Sequence, residues 1–313
     1  MTVEGLFGAV DTFPNERARE RFDALVGVDS VSDQIIASVR AQLDPKRVEV
    51  WSKKHHGDII SAVREVADLI PLVVFAGDVG TGKTELAETI GDPIARTLDV
   101  EVTTYPLSLS ARGHGAVGEM TTLIRSAFQS VADAAKSGRS RDGRLRHITI
   151  LLIDEADALA QSRELAQMHH EDRAGVNALI RGINELQRDR LPVLTIMCTN
   201  RMSAIDPAVL RRAVAKFEFD RPDLAQRTAL LRRLFSGVKD VSTADIAELA
   251  KLTGEREDRR YGCTYSDLRQ RFVPLAVIRA VHADEPITGK QLIANAQTFQ
   301  PTRPFDSEQG GAA

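Results

Sequence analysis

Glycines, a lysine and a threonine stand close together in the octapeptide GDVGTGKT, residues 77–84. Glycines at three of these positions allow backbone N–H groups to turn toward one bound anion. Lys83 would reach the terminal phosphates of a nucleotide, and the hydroxyl of Thr84 would ligate Mg²⁺. The spacing therefore predicts a site for a nucleoside triphosphate. The residues expected there are Gly77, Asp78, Val79, Gly80, Thr81, Gly82, Lys83, Thr84 and Glu85.

Two carboxylates, Asp154 and Glu155, follow the apolar run ITILLI at residues 148–153. Asp154 is placed to hold the Mg²⁺ through water, and Glu155 is placed to orient and deprotonate an attacking water. Asn200 ends another apolar run and would position the same water beside the γ-phosphate. A carboxylate that activates water favours nucleotide hydrolysis over transfer of the phosphate to a small molecule.

Three short apolar runs must position these residues: LVVFA (72–76), ITILLI (148–153) and VLTIMC (193–198). They lack polar alternation, which is typical of parallel strands covered by helices on both faces. Apolar residues between 176 and 186 recur at helical spacing. Strands that alternate with helices predict an α/β fold with a wound sheet.

The sequence changes character after FDRPD, residues 219–223, where apolar strand-like runs stop and helix start signals follow. Capping boxes are expected at Ser242–Asp245 and Thr288–Gln291. We therefore predict an α/β domain over residues 21–221 and a small all-helical domain over residues 222–300. Residues 1–20 would form an N-terminal tail, and residues 301–313 a disordered tail.

Composition narrows the class of protein. The chain has 313 residues, 43% hydrophobic and 27% charged, as expected of a globular protein with a sizeable core. The formal net charge of −3 lacks the basic field of a general DNA-binding protein. Its two cysteines cannot build a disulfide framework, and no run is long enough to span a membrane. These features predict a reduced, cytoplasmic protein.

Taken in this order, the motifs resemble those of the AAA+ ATPases. FDALVGVDSVSDQI (22–35) is similar to the segment lining the family's adenine pocket, and CTNRMSAIDPAVLRR (198–212) to the stretch that ends at its arginine finger. The resemblance implies a five-stranded parallel sheet, a helical lid and a ring, expected to be a hexamer. It also implies ATP and Mg²⁺ as cofactors, adenine contacts by Val26 and Gly27, and a finger at Arg212 with Arg211 as backup.

Within that family the chain resembles the pachytene-checkpoint ATPases, which remodel HORMA-domain proteins, and their bacterial relatives in antiphage signalling systems. IDPAVLRRAVAKFEF lacks the Pro-Gly that most members have after the first arginine, and RAGVNALIRGINELQ is similar to that group's helix after the acidic strand end. The resemblance implies ATP hydrolysis coupled to remodelling of a protein partner. Because the chain has no basic field and no membrane span, nucleic acid is not expected as a partner and no membrane is expected.

Two positions depart from the family pattern. The loop SARGHGAVGEMTTLI (110–124) would supply the substrate-gripping pore loop, and there Ala116 and Val117 stand where a large aromatic and an apolar residue are usual. In GCTYSDLRQR (262–271), Ser266 occupies the sensor 2 position and Arg269 lies one turn later. Two histidine pairs, at 55–56 and 169–170, are interpreted as surface residues, because no cluster has metal-ligand spacing.

Two other functions stay open at this point. One is a nucleic-acid loader or initiator, which would carry a basic stripe or an added winged-helix module, neither of which is visible. The other is an activase of a metabolic enzyme. An intact Glu155 argues against a scaffold that does not hydrolyse its nucleotide.

Overall fold

The computed structural model describes residues 5–67, 69–108, 119–158, 170–257 and 259–305. The chain divides into two compact units. One comprises Met1–Ala76 and Thr84–Glu218, and the other comprises Gly77–Lys83 and Phe219–Ala313. The C-terminal unit thus begins close to the expected boundary at residue 222. The phosphate loop, Gly77–Lys83, groups with this C-terminal unit, which the sequence did not indicate.

A six-stranded sheet runs through the structure in the order β1-β3-β4-β5-β2-β6. Neighbours β3 and β4, β4 and β5, and β5 and β2 are parallel, which confirms the predicted α/β wound sheet. Edge strand β1 is antiparallel to β3, so the sheet has one strand more than the five expected. The strands are β1 (Asp11–Phe13), β2 (Leu72–Gly77), β3 (Glu101–Pro106), β4 (His147–Ile153), β5 (Val193–Thr199) and β6 (Ala215–Phe219).

The N-terminal residues expected to be a tail are part of this fold. Strand β1 pairs Phe13 with Val102 of β3, and the Phe13 side chain is fully buried. The helix α1 (Glu16–Asp23) follows, capped by the Asn15 side chain, which accepts the N–H of Ala18. Burial of a phenylalanine side chain such as that of Phe13 contributes about 1.5–3 kcal/mol, which helps to hold this short edge strand in place.

The first unit places helices against the sheet. Alternate side chains of β2, β4 and β5 pack on the amphipathic helices α7 and α8, and α8 contains the predicted helical stretch 176–186. The other alternate set faces the opposite side, as the two-residue period of a strand requires. The helices are α2 (Asp29–Leu43), α3 (Pro45–His56), α4 (Ser61–Ala67), α5 (Lys83–Thr89), α6 (Gly91–Leu98), α7 (Glu119–Ala135), α8 (His170–Arg188) and α9 (Pro207–Leu210).

Sheet register brings the polar strand ends to one edge. Ile153 of β4 pairs with Met197 of β5, and Ala76 of β2 pairs with Thr199 of β5. All three strands run in the same direction, so the residues that follow them leave the sheet on the same side. Asp154 and Asn200 therefore emerge from the carboxyl edge of neighbouring strands, as expected for a ligand site in a parallel sheet.

The second unit is helical after β6. Its helices are α10 (Leu224–Leu234), α11 (Thr243–Leu252), α12 (Val273–Ala283) and α13 (Gly289–Thr298), with a π-helical segment at Asp267–Phe272. Both predicted capping boxes are present, at the starts of α11 and α13. A third, in which Asp223 pairs with Gln226, starts α10.

The expectation of a disordered tail over residues 301–313 is wrong for its first residues. Thr302 and Phe305 are held by hydrogen bonds to Asp267 and Asp78, so residues 301–305 belong to the packed second unit. Residues 306–313 lie outside the described residues.

Both cysteines are buried as free thiols. Burial raises the pKa of the Cys263 thiol to about 12, which keeps it protonated and unreactive at neutral pH. None of the helices in the described parts of the chain is both long and apolar enough to cross a membrane.

The crossing of α7 and α8 generates a prediction about stability. A Cβ atom added at Gly182 would lie 2.3 Å from the ring of Phe128, which is buried. Gly182→Ala should therefore lower the free energy of unfolding by about 1–3 kcal/mol through overpacking. Chemical denaturation measures the change.

Gly175→Ala on the same helix is the matched control, because a Cβ there meets the side chain of Met120 at 3.4 Å, an ordinary contact. Alanine's better helix propensity should make this variant neutral or more stable by up to about 1 kcal/mol. Equal stability of the two variants would contradict the packing of α7 against α8.

Candidate functional site

The phosphate loop holds its own lysine. Lys83 is buried, and its Nζ donates to the carbonyl oxygens of Gly77 at 2.9 Å and Asp78 at 2.8 Å. The hydroxyl of Thr81 donates to the same Asp78 carbonyl at 2.8 Å. An ammonium group held inside a ring of loop atoms is preorganised to meet an anion.

Two glycines of the loop are required by close packing within the second unit. A Cβ on Gly77, whose φ is +149°, would lie 2.1 Å from the carbonyl oxygen of Phe219. A Cβ on Gly80, whose φ is +77°, would lie 2.7 Å from Cβ of Ser266. Ser266 also donates its N–H to the Gly80 carbonyl at 3.1 Å. The loop therefore has little room to change its conformation.

The expected metal ligands meet in the first unit. The hydroxyl of Thr84 donates to Oδ2 of Asp154 at 3.0 Å, although the two residues are 70 positions apart. One hydroxyl and one carboxylate are hard oxygen donors, which suits Mg²⁺, an ion that takes its remaining ligands from phosphates and water. No cluster of three or more His, Cys, Asp or Glu residues with metal-binding geometry occurs in the described part of the chain. The residues present thus fit a magnesium–nucleotide complex.

Glu155 has a strained backbone. Its φ is +50°, a left-handed conformation that costs a non-glycine residue about 1–2 kcal/mol. The Glu155 N–H donates to Oδ1 of Asp154 at 2.9 Å, and the side chain is exposed. Strain of this kind clusters at functional sites, because surrounding contacts hold the residue where it is needed. The role of Glu155 toward water stays a prediction.

A threonine outside the predicted site residues fixes the end of β5. Oγ1 of Thr199 lies 2.9 Å from Oδ1 of Asp157 and accepts the N–H of Arg201 at 3.0 Å. This pair joins the segment after β4 to the turn that carries Asn200, which is half-buried. The role of Asn200 in positioning water stays a prediction. The acidic run DEAD was the one available signal for Asp157.

Arg212 is held by its own unit. Its Nε donates to Oδ1 of Asn184 at 3.1 Å, and its Nη1 donates to the Ala208 carbonyl at 2.6 Å. The neighbouring Arg211 is exposed. The assignment of the arginine finger to Arg212 stays a prediction. Because these hydrogen bonds already hold the guanidinium of Arg212, the exposed Arg211 has to be tested beside it.

Glu85 makes contacts that the sequence reading did not anticipate. Both of its carboxylate oxygens accept hydrogen bonds from Arg21, at 2.8 and 3.0 Å, and Glu88 accepts another at 2.5 Å. The hydrogen bond to Glu85 is the largest factor that raises the pKa of Arg21 above its usual value. The side chain of Glu85 thus ties α5 to α1. The predicted contact of Glu85 with nucleotide stays a prediction. No local pattern marks Arg21, because its partners lie more than 60 residues away in sequence.

Other predicted positions are less constrained. Val79 is 46% exposed, Val26 is half-buried, and Gly27 has a φ of +78° in the turn before α2. Their nucleotide contacts stay predictions. Arg269 is exposed on the π-helical segment. Ala116 and Val117 of the expected pore loop lie outside the described residues.

The histidine pair after Trp51 lies on the surface. Both rings lie near the Trp51 indole, at centroid distances of 5.8 and 5.3 Å. The second pair falls partly outside the described residues.

Comparison with known families gives one match. Residues 73–221 match the model of the ATPase family associated with various cellular activities (AAA). This range contains the phosphate loop, the acidic strand end, Asn200 and Arg212.

Individual proteins are similar over almost the whole chain. CD-NTase-associated protein 6 of Escherichia coli strain MS 115-1 is 46% identical over 308 residues, 98% of each chain. A chain in the structure of the E. coli MS115-1 HORMA:CdnC:Trip13 complex aligns with a TM-score of 0.91 and 44% identity, over 97% of this chain and 99% of that one. The structure of Rhizobiales Trip13 aligns with a TM-score of 0.74 and 39% identity, over 96% and 100%.

Substitutions at two positions should affect different steps. A change in the phosphate loop should remove nucleotide binding, and a change at the acidic strand end should remove turnover. Lys83→Ala should lose nucleotide binding, because the loop loses its cation. Glu155→Gln should bind ATP but lose about 100-fold or more of its turnover, because an amide cannot deprotonate water. Equilibrium binding and steady-state ATPase assays measure the two effects. Full ATPase activity of Glu155→Gln would rule out its role as general base.

Sharing of the site between protomers can be tested by mixing variants. If Arg212 acts on a neighbour's nucleotide, Arg212→Ala should bind ATP normally and hydrolyse it about 1,000-fold more slowly. Mixing it with Glu155→Gln protein should restore some activity, at interfaces that pair an intact Glu155 with an intact Arg212. The same mixing with Arg211→Ala shows which arginine acts. Two outcomes would contradict the prediction. One is that mixing with Glu155→Gln protein restores activity to Arg211→Ala but not to Arg212→Ala. The other is that Arg212→Ala gains no activity in the mixture and the protein is monomeric in ATP.

Proposed function

This chain belongs to the AAA ATPase family and is an ATP hydrolase, and we propose that the hydrolysis drives remodelling of a HORMA-domain protein in an antiphage signalling system. The observation that carries this proposal is the similarity, over nearly full length on both sides, to a chain of the HORMA:CdnC:Trip13 complex. A chain that adopts the same fold at 44% identity, with the phosphate loop and acidic strand end intact, is suited to the same class of partner.

In the proposed reaction, ATP binds through its phosphates to the loop Gly77–Lys83. Lys83 stabilises the charge on the terminal phosphates, and Thr84 and Asp154 hold Mg²⁺. That ion supplies charge neutralisation on the phosphate oxygens when it is bound. Glu155 takes the proton of the attacking water, and Asn200 orients that water. The contact between Thr84 and Asp154 supports this arrangement, because it brings the two expected Mg²⁺ ligands together.

We further propose a hexameric ring in which Arg212 completes the neighbouring site. A guanidinium near the γ-phosphate neutralises charge that develops in the transition state. Asn184 and Ala208 hold Arg212 in a fixed position, which lowers the entropy lost when it binds phosphate. A cytoplasmic location remains our expectation from the cysteine content.

The grip on the partner is assigned to Ala116 and Val117. Because alanine stands where a large aromatic is usual, each contact lacks the roughly 1–3 kcal/mol that a buried aromatic adds. A weak grip suits the opening of a marginally stable segment of the partner better than the threading of a stable domain. We therefore propose partial unfolding of a HORMA-type protein rather than its complete unfolding.

A comparison of pore-loop variants tests this function. Val117→Asp should abolish release of a HORMA-type partner from its closed complex while leaving ATPase activity within a few-fold. A charge at the expected gripping position opposes apolar contact with the partner's chain. Partner release and ATPase activity are measured in parallel on the same protein.

Ala116→Tyr is the matched variant and should release the partner at least as well as the parent protein, because it restores a ring at this position. Glu155→Gln should retain the partner in a stable complex with ATP. Normal release by Val117→Asp would show that the loop does not contact the partner. Retention of nucleic acid instead of protein by Glu155→Gln, with salt-sensitive binding, would indicate a loader.

A further inference from the structure

Asp78, the second residue of the phosphate loop, is bound by a distant part of the chain. Nε and Nη2 of Arg221 both donate to its Oδ2, the first at 2.9 Å, and the N–H of Phe305 donates to its Oδ1 at 3.1 Å. The side chains of Arg221 and Asp78 are only 13% and 16% exposed. A pair so nearly buried depends on both members, because removal of one leaves the other's charge without its counter-charge in a place that water reaches poorly.

Arg221 also binds two backbone segments with its remaining nitrogen. Nη1 donates to the carbonyl oxygen of Gly262 at 2.6 Å and to that of Thr302 at 2.8 Å. The guanidinium lies 5.2 Å from the ring centre of Tyr261, within the range of a cation–π contact. One side chain therefore joins the phosphate loop, the segment at 261–262 and the C-terminal segment.

The C-terminal segment, residues 299–305, is fixed from its other side by a buried carboxylate. Asp267 is 1% exposed and accepts both the N–H of Thr302, at 3.1 Å, and its hydroxyl, at 2.7 Å. Arg271 donates to Asp267 at 2.6 Å and to the Gln300 carbonyl at 3.2 Å, and lies over the Phe299 ring. Hydrogen bonds from two sides therefore hold the segment within the second unit.

Asp78 is the point where these contacts reach the nucleotide site. Its backbone carbonyl accepts from Lys83, and its side chain accepts from Arg221, so one residue carries both interactions. A shift of Asp78 must move the carbonyl that orients the Lys83 ammonium. Packing at Gly77 and Gly80 limits the conformations open to the loop, and the contacts of the Asp78 side chain help to select one of them.

We propose that Asp78, Arg221 and the C-terminal segment form a clamp that sets the phosphate loop in its binding conformation, so that nucleotide and C-terminal segment bind cooperatively. Arg221 is a positioning residue that acts through Asp78. Thermodynamic linkage makes the effect reciprocal: a segment that tightens ATP binding is itself held more tightly when ATP is bound. This inference rests on the loop as the ATP site and not on the identity of the protein partner.

Kinetics of the full chain test the clamp. Arg221→Ala should raise the Kd and KM for ATP about tenfold, with kcat at saturating ATP within about threefold, since the chemistry lies elsewhere. Arg221→Lys should recover only part of the affinity, because an ammonium group cannot bind Asp78 and both carbonyls in the same geometry. Arg232→Ala, an exposed arginine of the same unit, is the control and should match the parent.

Asp78→Asn covers the case in which Arg221→Ala fails to fold, because the amide keeps the shape of the carboxylate and removes its charge. It should weaken ATP binding by a similar factor. An unchanged Kd for ATP in folded Arg221→Ala or Asp78→Asn overturns the clamp. So does a fall in kcat with no change in KM.

Hydrogen exchange tests the reciprocal effect. A slowly hydrolysed ATP analogue should slow amide exchange in the peptide that contains Thr302 and Phe305 in the parent protein, and should not slow it in Arg221→Ala. Equal slowing in both proteins overturns cooperativity, as does no slowing in the parent. Lys83→Ala separates a failure of the proposed nucleotide site from a failure of the clamp. If Lys83→Ala still binds ATP, the nucleotide site itself is wrong, whereas loss in Lys83→Ala but not in Arg221→Ala rejects the clamp alone.

Discussion

A triphosphate carries several negative charges, and a protein binds it tightly only where N–H groups and a cation are held ready before the ligand arrives. That requirement shapes the loop Gly77–Lys83. The Lys83 ammonium is fixed by two loop carbonyls, and packing leaves no room for a side chain at Gly77 or Gly80. Preorganisation of this kind removes the reorganisation cost from the binding step. The other elements of the fold hold this loop and the carboxylates of Asp154 and Glu155 in position.

The parallel sheet serves the carboxylates. The register between β2, β4 and β5 fixes where the chain leaves the sheet after each strand. Two side-chain hydrogen bonds then hold the polar residues that follow the strands. Thr84 binds Asp154, and Thr199 binds Asp157. Since the strands are buried on both faces, their ends cannot shift without disturbing a close-packed core. A rigid edge of this kind suits a reaction in which a water, a metal ion and a phosphate must be aligned.

The helical unit holds the phosphate loop. Gly77–Lys83 group with the helical unit, so the residues proposed to bind the phosphates pack against helical residues such as Ser266. The Asp78–Arg221 pair carries this connection through nearly buried charges, and Asp267 extends it to Thr302. In a protein that converts nucleotide cleavage into movement of a partner, such a connection gives the nucleotide a way to alter a remote segment. The same contacts, in reverse, let that segment alter the affinity for nucleotide.

Local sequence determined a large part of this protein. The phosphate loop, the acidic strand end, the three buried strands and two capping boxes depend on residue types within a few positions of one another, so spacing alone predicted them. The edge strand β1, the ion pair between Arg21 and Glu85, and the clamp on Asp78 were decided only by the tertiary structure. Their partners lie from about 60 to more than 200 residues apart, and no periodicity links them. Such pairs form because the fold buries both groups together, where a polar or charged side chain must find a partner, and one sequence by itself does not specify which partner that is.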